Sequence, residues 1–230
     1  MKALILAGCL SLFLISAMGQ KSEVRNVGSF KGVKSGEAID VYLKKGEKES
    51  VKVESNKDLA DVITEISGSY LKIHIRDNNI NWGGSKGRSV KVYVTYVDID
   101  KISASSASNV FSDGPIKASS MEIHASSAAN IEVNIEATDL QVHVSSAGDV
   151  VLEGKTKTIN AEVSSAGEID AYNLIADSAE ASASSGGSVK ISVTNGLNAH
   201  ASSGGSIRYR GNPTKTNTNS SSGGSVTRSN

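Results

Sequence analysis

Ser145-Ser146-Ala147-Gly148-Asp149-Val150 is followed nineteen residues later by Ser164-Ser165-Ala166-Gly167-Glu168-Ile169. The same phrase, two serines, two small residues, one polar residue and one aliphatic, occurs seven times, with first serines at Ser105, Ser126, Ser145, Ser164, Ser184, Ser202 and Ser221. The intervals are 21, 19, 19, 20, 18 and 19 residues. So steady a period marks a solenoid or another repeated array. Its length suits one coil of a β-helix, whereas helical repeats are longer and need leucine- or alanine-rich helices.

Working outward from the phrase, each column of the aligned repeats acquires a direction. Five residues before the first serine stand Met121, Leu140, Ile159, Ala179 and Leu197, three before stand Ile102, Ile123, Val142, Ala161, Ala181 and Ala199, and one before stand Ala104, Ala125, Val144, Val163, Ala183 and Ala201. The alternate column, two before, reads Ser103, His124, His143, Glu162, Ser182, His200 and Asn219. Apolar and polar residues in strict alternation mark a strand with one buried face. The small residues after the serine pair suit a sharp corner. The chain then resumes with Val110, Ile131, Val150, Ile169, Val189, Ile207 and Val226.

The expected fold is all-β: a right-handed parallel β-helix, or β-solenoid, with coils of about 19 residues over 103–230. Like positions stack about 4.8 Å apart, which makes seven coils a rod of roughly 34 Å, with serine hydroxyl ladders at the corners. A Ser/Gly linker would not carry aliphatics in register seven times. Residues 20–102 are also strand-rich, alternating over 38–43, 50–54, 70–75 and 90–96. They form either a separate domain or, as we read them, an irregular N-terminal cap of wider coils, because Ser35-Gly36 followed by Ile39 and Val41 resembles an eroded copy of the phrase. Lys57 to Ile66 holds a short helical turn capped by Asn56, or a loop leading into a strand. Asp77 to Arg88 reads as a loop. At the far end, Thr214 to Asn230 replaces inward aliphatics with Thr216, Thr218 and Ser220, and charge and disorder are expected to blunt that edge.

The 230 residues carry 24 basic and 24 acidic side chains, and no basic run supplies a field for phosphates, so nucleic acid is not an expected partner. Serine numbers 27 from residue 103 onward against 11 before it, while only three of the ten aromatics lie in that second part, so the later core must be built from small residues. Lys2, the apolar run Ala3 to Ile15 and Ser16-Ala17-Met18-Gly19 have the form of a signal peptide over 1–19. That run is too short to span a bilayer, and no later stretch approaches the required length, so an exported chain without a transmembrane segment is expected. Leu6-Ala7-Gly8-Cys9 resembles a lipoprotein box, but Leu10 to Ile15 continue the apolar run past it. Cleavage after Gly19 removes Cys9, the sole cysteine, and with it any disulfide or thiolate chemistry.

The Ser-x-Ala-Ser-x-Val phrase, the opening Phe30-Lys31-Gly32-Val33 with Ile39-Asp40-Val41-Tyr42-Leu43, and the late Tyr209-Arg210-Gly211-Asn212-Pro213 resemble the auto-transporter adhesin "head GIN" domain of bacterial envelope proteins, over about residues 24–228. The resemblance implies a β-helical fold and an adhesive or surface role, and it brings no catalytic residues. Members typically carry glycine second in the phrase, where this chain has Ser106, Ser127, Ser146, Ser165, Ser185, Ser203 and Ser222. An autotransporter also needs a membrane barrel of many alternating strands, for which residues 20–230 leave no room.

Two ladders are the candidate sites. His124 and His143 occupy neighbouring copies of one outward column and could take a metal with Glu122 or Glu162; the plainer reading is a solvated pair. Asp149 and Glu168 stack beside the corner with Glu132 and Asp170 nearby, a grouping for calcium or for a carboxylate pair in a polysaccharide-cleaving β-helix, or else ordinary surface carboxylates. Outside the strand pattern or late in the chain, only Trp82, Tyr172 and Tyr209 offer aromatic walls for a sugar groove. No Gly-x-Ser-x-Gly elbow accompanies a convincing His and Asp order, Ser-Ser-Gly-Gly recurs as a structural corner, and these corners lack the following helix that a phosphate-binding loop needs. The expected function is therefore a non-enzymatic exported β-solenoid, a binding or structural module for a surface polysaccharide or protein partner, with no cofactor, no metal and no assigned site residue. The alternative is a β-helix hydrolase or lyase.

Overall fold

The computed structural model describes residues 21–56, 58–76 and 89–229. The signal-peptide reading with Cys9, and the Asp77–Arg88 loop with Trp82, lie outside the described residues. Eight strands form the irregular start: β1 (Lys21–Arg25), β2 (Gly32–Ser35), β3 (Asp40–Lys45), β4 (Ser50–Ser55), β5 (Val62–Ser67), β6 (Tyr70–Ile75), β7 (Val90–Tyr96) and β8 (Lys101–Ala104). Five long strands carry the repeat: β9 (Asn109–Ala125), β10 (Asn130–Val144), β11 (Asp149–Val163), β12 (Glu168–Ala183) and β13 (Ser188–Ala201). Three shorter ones close it: β14 (Ser206–Arg210), β15 (Lys215–Ser220) and β16 (Ser225–Arg228).

The repeat winds as the columns require. β9 through β13 pair in parallel with their successors, and Val110, Ile131, Val150, Ile169, Val189, Ile207 and Val226 meet as register partners down the axis. Six of the seven are wholly buried. Valine and isoleucine alternate without exception along this column, so each isoleucine rests between two shorter side chains, which lets adjacent layers interdigitate. The three inward columns that precede the serines are buried in every coil from Met121 to Ala201. Their shift from Ile123 and Val142 to Ala161, Ala181 and Ala199 thins the core toward the C terminus.

Each corner is a four-residue turn in which the N–H of the fourth residue donates to the first serine's carbonyl at 2.8–3.2 Å. Its two central residues are left-handed: the second serines have φ between 49° and 54°, followed by alanines near 60° or glycines near 75°. This is the signature of a type I′ turn, normally the territory of Asn and Gly. The coil-to-coil link is made by the backbone instead of the expected hydroxyl ladder. The third corner residue donates to the second serine's carbonyl in the next coil, as from Ala128 to Ser146 and Ala147 to Ser165, both at 3.1 Å. A non-glycine residue in this region costs about 1–2 kcal/mol, partly offset in glycine by its unfolded-state entropy. Ser146→Gly is therefore expected to stabilise the protein by about 0.5–1 kcal/mol, read as a rise in the urea midpoint at unchanged slope.

The N-terminal strands share the same sheet. β2 pairs in parallel with β8 and β3 with β9, so Val33 meets Ile102 and Val41 meets Val110. Glu37 and Ala38 are left-handed, and Ala38 N–H donates to Ser106 O at 2.9 Å, so Gly36-Glu37-Ala38-Ile39 is an eighth corner. It stands one residue later than the Ser35-Gly36 spelling implies. The winding here is not purely parallel: β1, β4 and β7 pair antiparallel, as do β5 and β6. The expected helical turn is a single 3-10 turn, Leu59–Asp61, leading into β5. Its cap is Asp58, which accepts from Ala60 N–H at 3.1 Å, and not Asn56, whose side chain instead accepts from Ser89 N–H at 3.0 Å. At the far end the segment expected to be disordered forms the strands β15 and β16, and the exposed edge is blunted by polar side chains together with the charges of Lys215 and Arg228.

Candidate binding face

The outward column begins before the repeat. Lys72 partners Lys34, Lys34 partners Ser103, and Ser103, His124, His143, Glu162, Ser182, His200 and Asn219 then follow one another in register. It runs along one flat face, with Tyr70, Gly32, Lys101, Glu122, Gln141 and Asn160 in the parallel column beside it.

The structure brings the two histidines together as predicted. Their rings stack with centroids 4.9 Å apart and planes 14° apart. Each is tied to its own carboxylate: His124 Nε2 lies 2.6 Å from Glu122 Oε1, and His143 Nδ1 lies 3.2 Å from Glu162 Oε2. The hydrogen bond from His124 holds the Glu122 carboxyl below its ordinary range. Stacked rings point their nitrogens along the face toward separate partners, and among the described residues no three His, Cys, Asp or Glu side chains are arranged to hold a metal ion.

Asp149 and Glu168 are likewise register partners, with Asp170 one column over. Lys190 joins Glu168 at 2.6 Å and Asp170 at 3.3 Å, which raises the lysine above its usual range. Asp149 is pushed upward, first by partial desolvation and then by Glu168 and Glu132. Because Asp149 stays open to solvent, the consequence for stability is small. Two of the four carboxylates thus belong to an ion-pair network centred on Lys190.

The aromatics fall elsewhere than expected. Tyr172 sits in a bulge where β12 slips against β13, and its ring takes the Arg210 guanidinium at 3.9 Å while its hydroxyl meets Ser229 Oγ at 2.8 Å. It fastens the last coils instead of walling a groove, and Tyr209 packs against the core. Sequence reading missed a ladder of Tyr93, Tyr42 and Phe111, stacked at 5.2 Å and 5.4 Å. These rings come from β7, β3 and β9, which are neighbours in space but not in sequence. With their faces spent on one another, they act chiefly as a staple, worth about 0.5–1.5 kcal/mol per pair.

Two hollows of about 450 Å³ each lie on the histidine face. The first holds His124, His143, Glu162 and Ser182; the second, toward the N terminus, holds Lys34, Ser67, Tyr70, Lys72 and Ser103 and shares His124.

Corners, parallel columns and an open polar face define an all-β solenoid of about seven turns, whose coils of about 19 residues stack like positions into columns. The chain belongs to the family described as putative auto-transporter adhesin, head GIN domain, whose model matches residues 29–213. Among solved structures it resembles a putative adhesin from Bacteroides fragilis, with a TM-score of 0.81 and 20% identity over 91% of this chain and 97% of that one. It resembles another from Parabacteroides merdae, with a TM-score of 0.75 and 18% identity over 92% and 96%. A putative lipid binding protein from Parabacteroides distasonis shares the fold at a TM-score of 0.67 and 17% identity over 92% and 97%. No curated protein matches the chain. No helix among the described residues is long and apolar enough to cross a membrane.

Proposed function

We propose that this protein is a non-enzymatic binding module of the cell envelope, exported and displayed at the surface, which holds a polysaccharide or protein partner along its histidine face. The observation that carries this reading is the in-register column from Lys72 to Asn219. It offers one polar group per rung, about 4.8 Å apart, over a flat open strip. Such a strip suits weak contacts repeated along an extended partner, whose strength comes from their number. Membership of an adhesin family supports the reading. The lysine bridge across Glu168 and Asp170 weighs against a free carboxylate pair for glycan cleavage.

The test is labelling of intact producing cells with a membrane-impermeant amine reagent, with a periplasmic protein as control. Labelling before lysis is the expected result. Labelling only after lysis overturns the reading, because a module held inside the outer membrane has no external partner to grip.

A further inference from the structure

We propose that the hollow at the N-terminal end of this face binds an anionic sugar, a carboxylated or sulfated saccharide unit, with Lys34 and Lys72 holding the acid group beside the ring of Tyr70; this rests on the binding role argued above. Three observations converge on it. The first is charge. Lys34 and Lys72 are direct partners on adjacent parallel strands, where like charges destabilise a sheet. Lys72 is relieved by Glu65 at 3.6 Å, and Lys101, one strand further on, by Glu122 at 3.8 Å. Lys34 has no carboxylate partner among the described residues and stands exposed between Lys72 and Ser103. Its charge is left for something outside the chain.

The second observation is the placement of Tyr70. Its Cδ1 and Cε1 lie 2.6 and 2.7 Å from where a β-carbon on Gly32 would stand. Glycine at 32 thus lets the ring lie over the neighbouring strand, and Lys101 Nζ stands 6.0 Å from its centroid. An aromatic ring laid across the sheet beside two ammonium groups and the hydroxyls of Ser67 and Ser103 offers an apolar patch for a sugar ring, charge for its acid group and partners for its hydroxyls. An acidic peptide would use the lysines and have no need of the tyrosine.

The third is continuity. The hollow shares His124 with the groove that runs on past His143 and Glu162. A polymer anchored at Tyr70 therefore has its path along the column already laid.

The experiment is titration calorimetry of the purified protein with four probes: a galacturonate hexamer, a heparin hexasaccharide, a neutral glucan hexamer and poly-L-glutamate. At least one acidic oligosaccharide is expected to bind and the neutral one not, with affinity falling as salt rises. Lys34→Gln, an exposed change that relieves the repulsion with Lys72 and so should hold or slightly raise the melting temperature, and Tyr70→Leu are each expected to weaken binding tenfold or more. Three results overturn the proposal: no binding of either acidic oligosaccharide, undiminished binding by Lys34→Gln, or poly-L-glutamate binding that depends on Lys34 and ignores Tyr70. Surface labelling of the Lys34→Gln strain keeps the two readings apart, since exposure on cells with a failed titration rejects the sugar site alone.

Discussion

Gly205→Val is expected to lose about 3 kcal/mol or more of folding stability and to leave much of the protein insoluble, although the residue lies at an unstrained backbone angle on a corner. The reason is crowding. A β-carbon there would run into the carbonyl of Ala183 in the coil below, and would stand 2.5 Å from its carbonyl carbon and 2.9 Å from Ser184 N. Those atoms sit in the hydrogen bonds that join the coils, Ser202 N–H to Ala183 O at 2.9 Å and Ser184 N–H to Val163 O at 3.0 Å, so making room means prising the stack open. Overpacking of a tight interior costs about 1–3 kcal/mol and more where backbone must move. The neighbouring glycine supplies the control. Gly204 has φ of 76° but meets only Gly186 N at 4.0 Å, so Gly204→Ala should cost only about 1 kcal/mol, the left-handed penalty already tolerated at Ala147 and Ala166. Urea unfolding of both variants decides the matter; a larger loss for Gly204→Ala would mean that backbone angle, not stacking clearance, limits the corner.

That contrast also shows which parts of the molecule could be read in the chain. Seven corners and their inward columns were legible because the coil length is nearly constant, so residues that touch in space also align in the text. The two histidines and the Asp149–Glu168 pair were legible for the same reason. Where the chain departs from that period, adjacency in space is lost from the sequence. The order β1-β4-β7-β3-β9 brings Lys52, Tyr93, Tyr42 and Phe111 side by side from strands far apart in the chain. The antiparallel pairing of β5 with β6, and the fall of Tyr70 across Gly32, belong to the same irregular start, where no second copy exists to compare. Left-handed serines were hidden for another reason. Serine ordinarily avoids that region, and here the backbone bonds between successive corners hold it there in all seven copies.

Ile169→Ala is expected to do more than open a cavity. The side chain is fully buried between Val150 and Val189, and removing three carbons from so tight a layer costs about 2–5 kcal/mol. In a solenoid each coil is held only by its neighbours, so stability is a sum of coils and of the interfaces between them. A defect midway therefore weakens the coupling of the two halves as well as the whole. The half beyond it is also the weaker, since its inward columns read Ala181, Ala199, Ala183 and Ala201 and its last rung, Thr216, Thr218 and Ser220, is exposed. Unfolding of Ile169→Ala should accordingly split into two transitions. Amide exchange in β13 and β14 should quicken at denaturant concentrations where β9 and β10, stapled through Phe111 to Tyr42, remain protected. The same truncation at Ile207 should cost less and leave one main transition, because only the last two strands, β15 and β16, lie beyond it. A single cooperative transition in Ile169→Ala, with exchange quickened equally in β9 and β13, would show instead that the polar face and the stapled start carry the load across the gap and that the aliphatic column is not the spine of the fold.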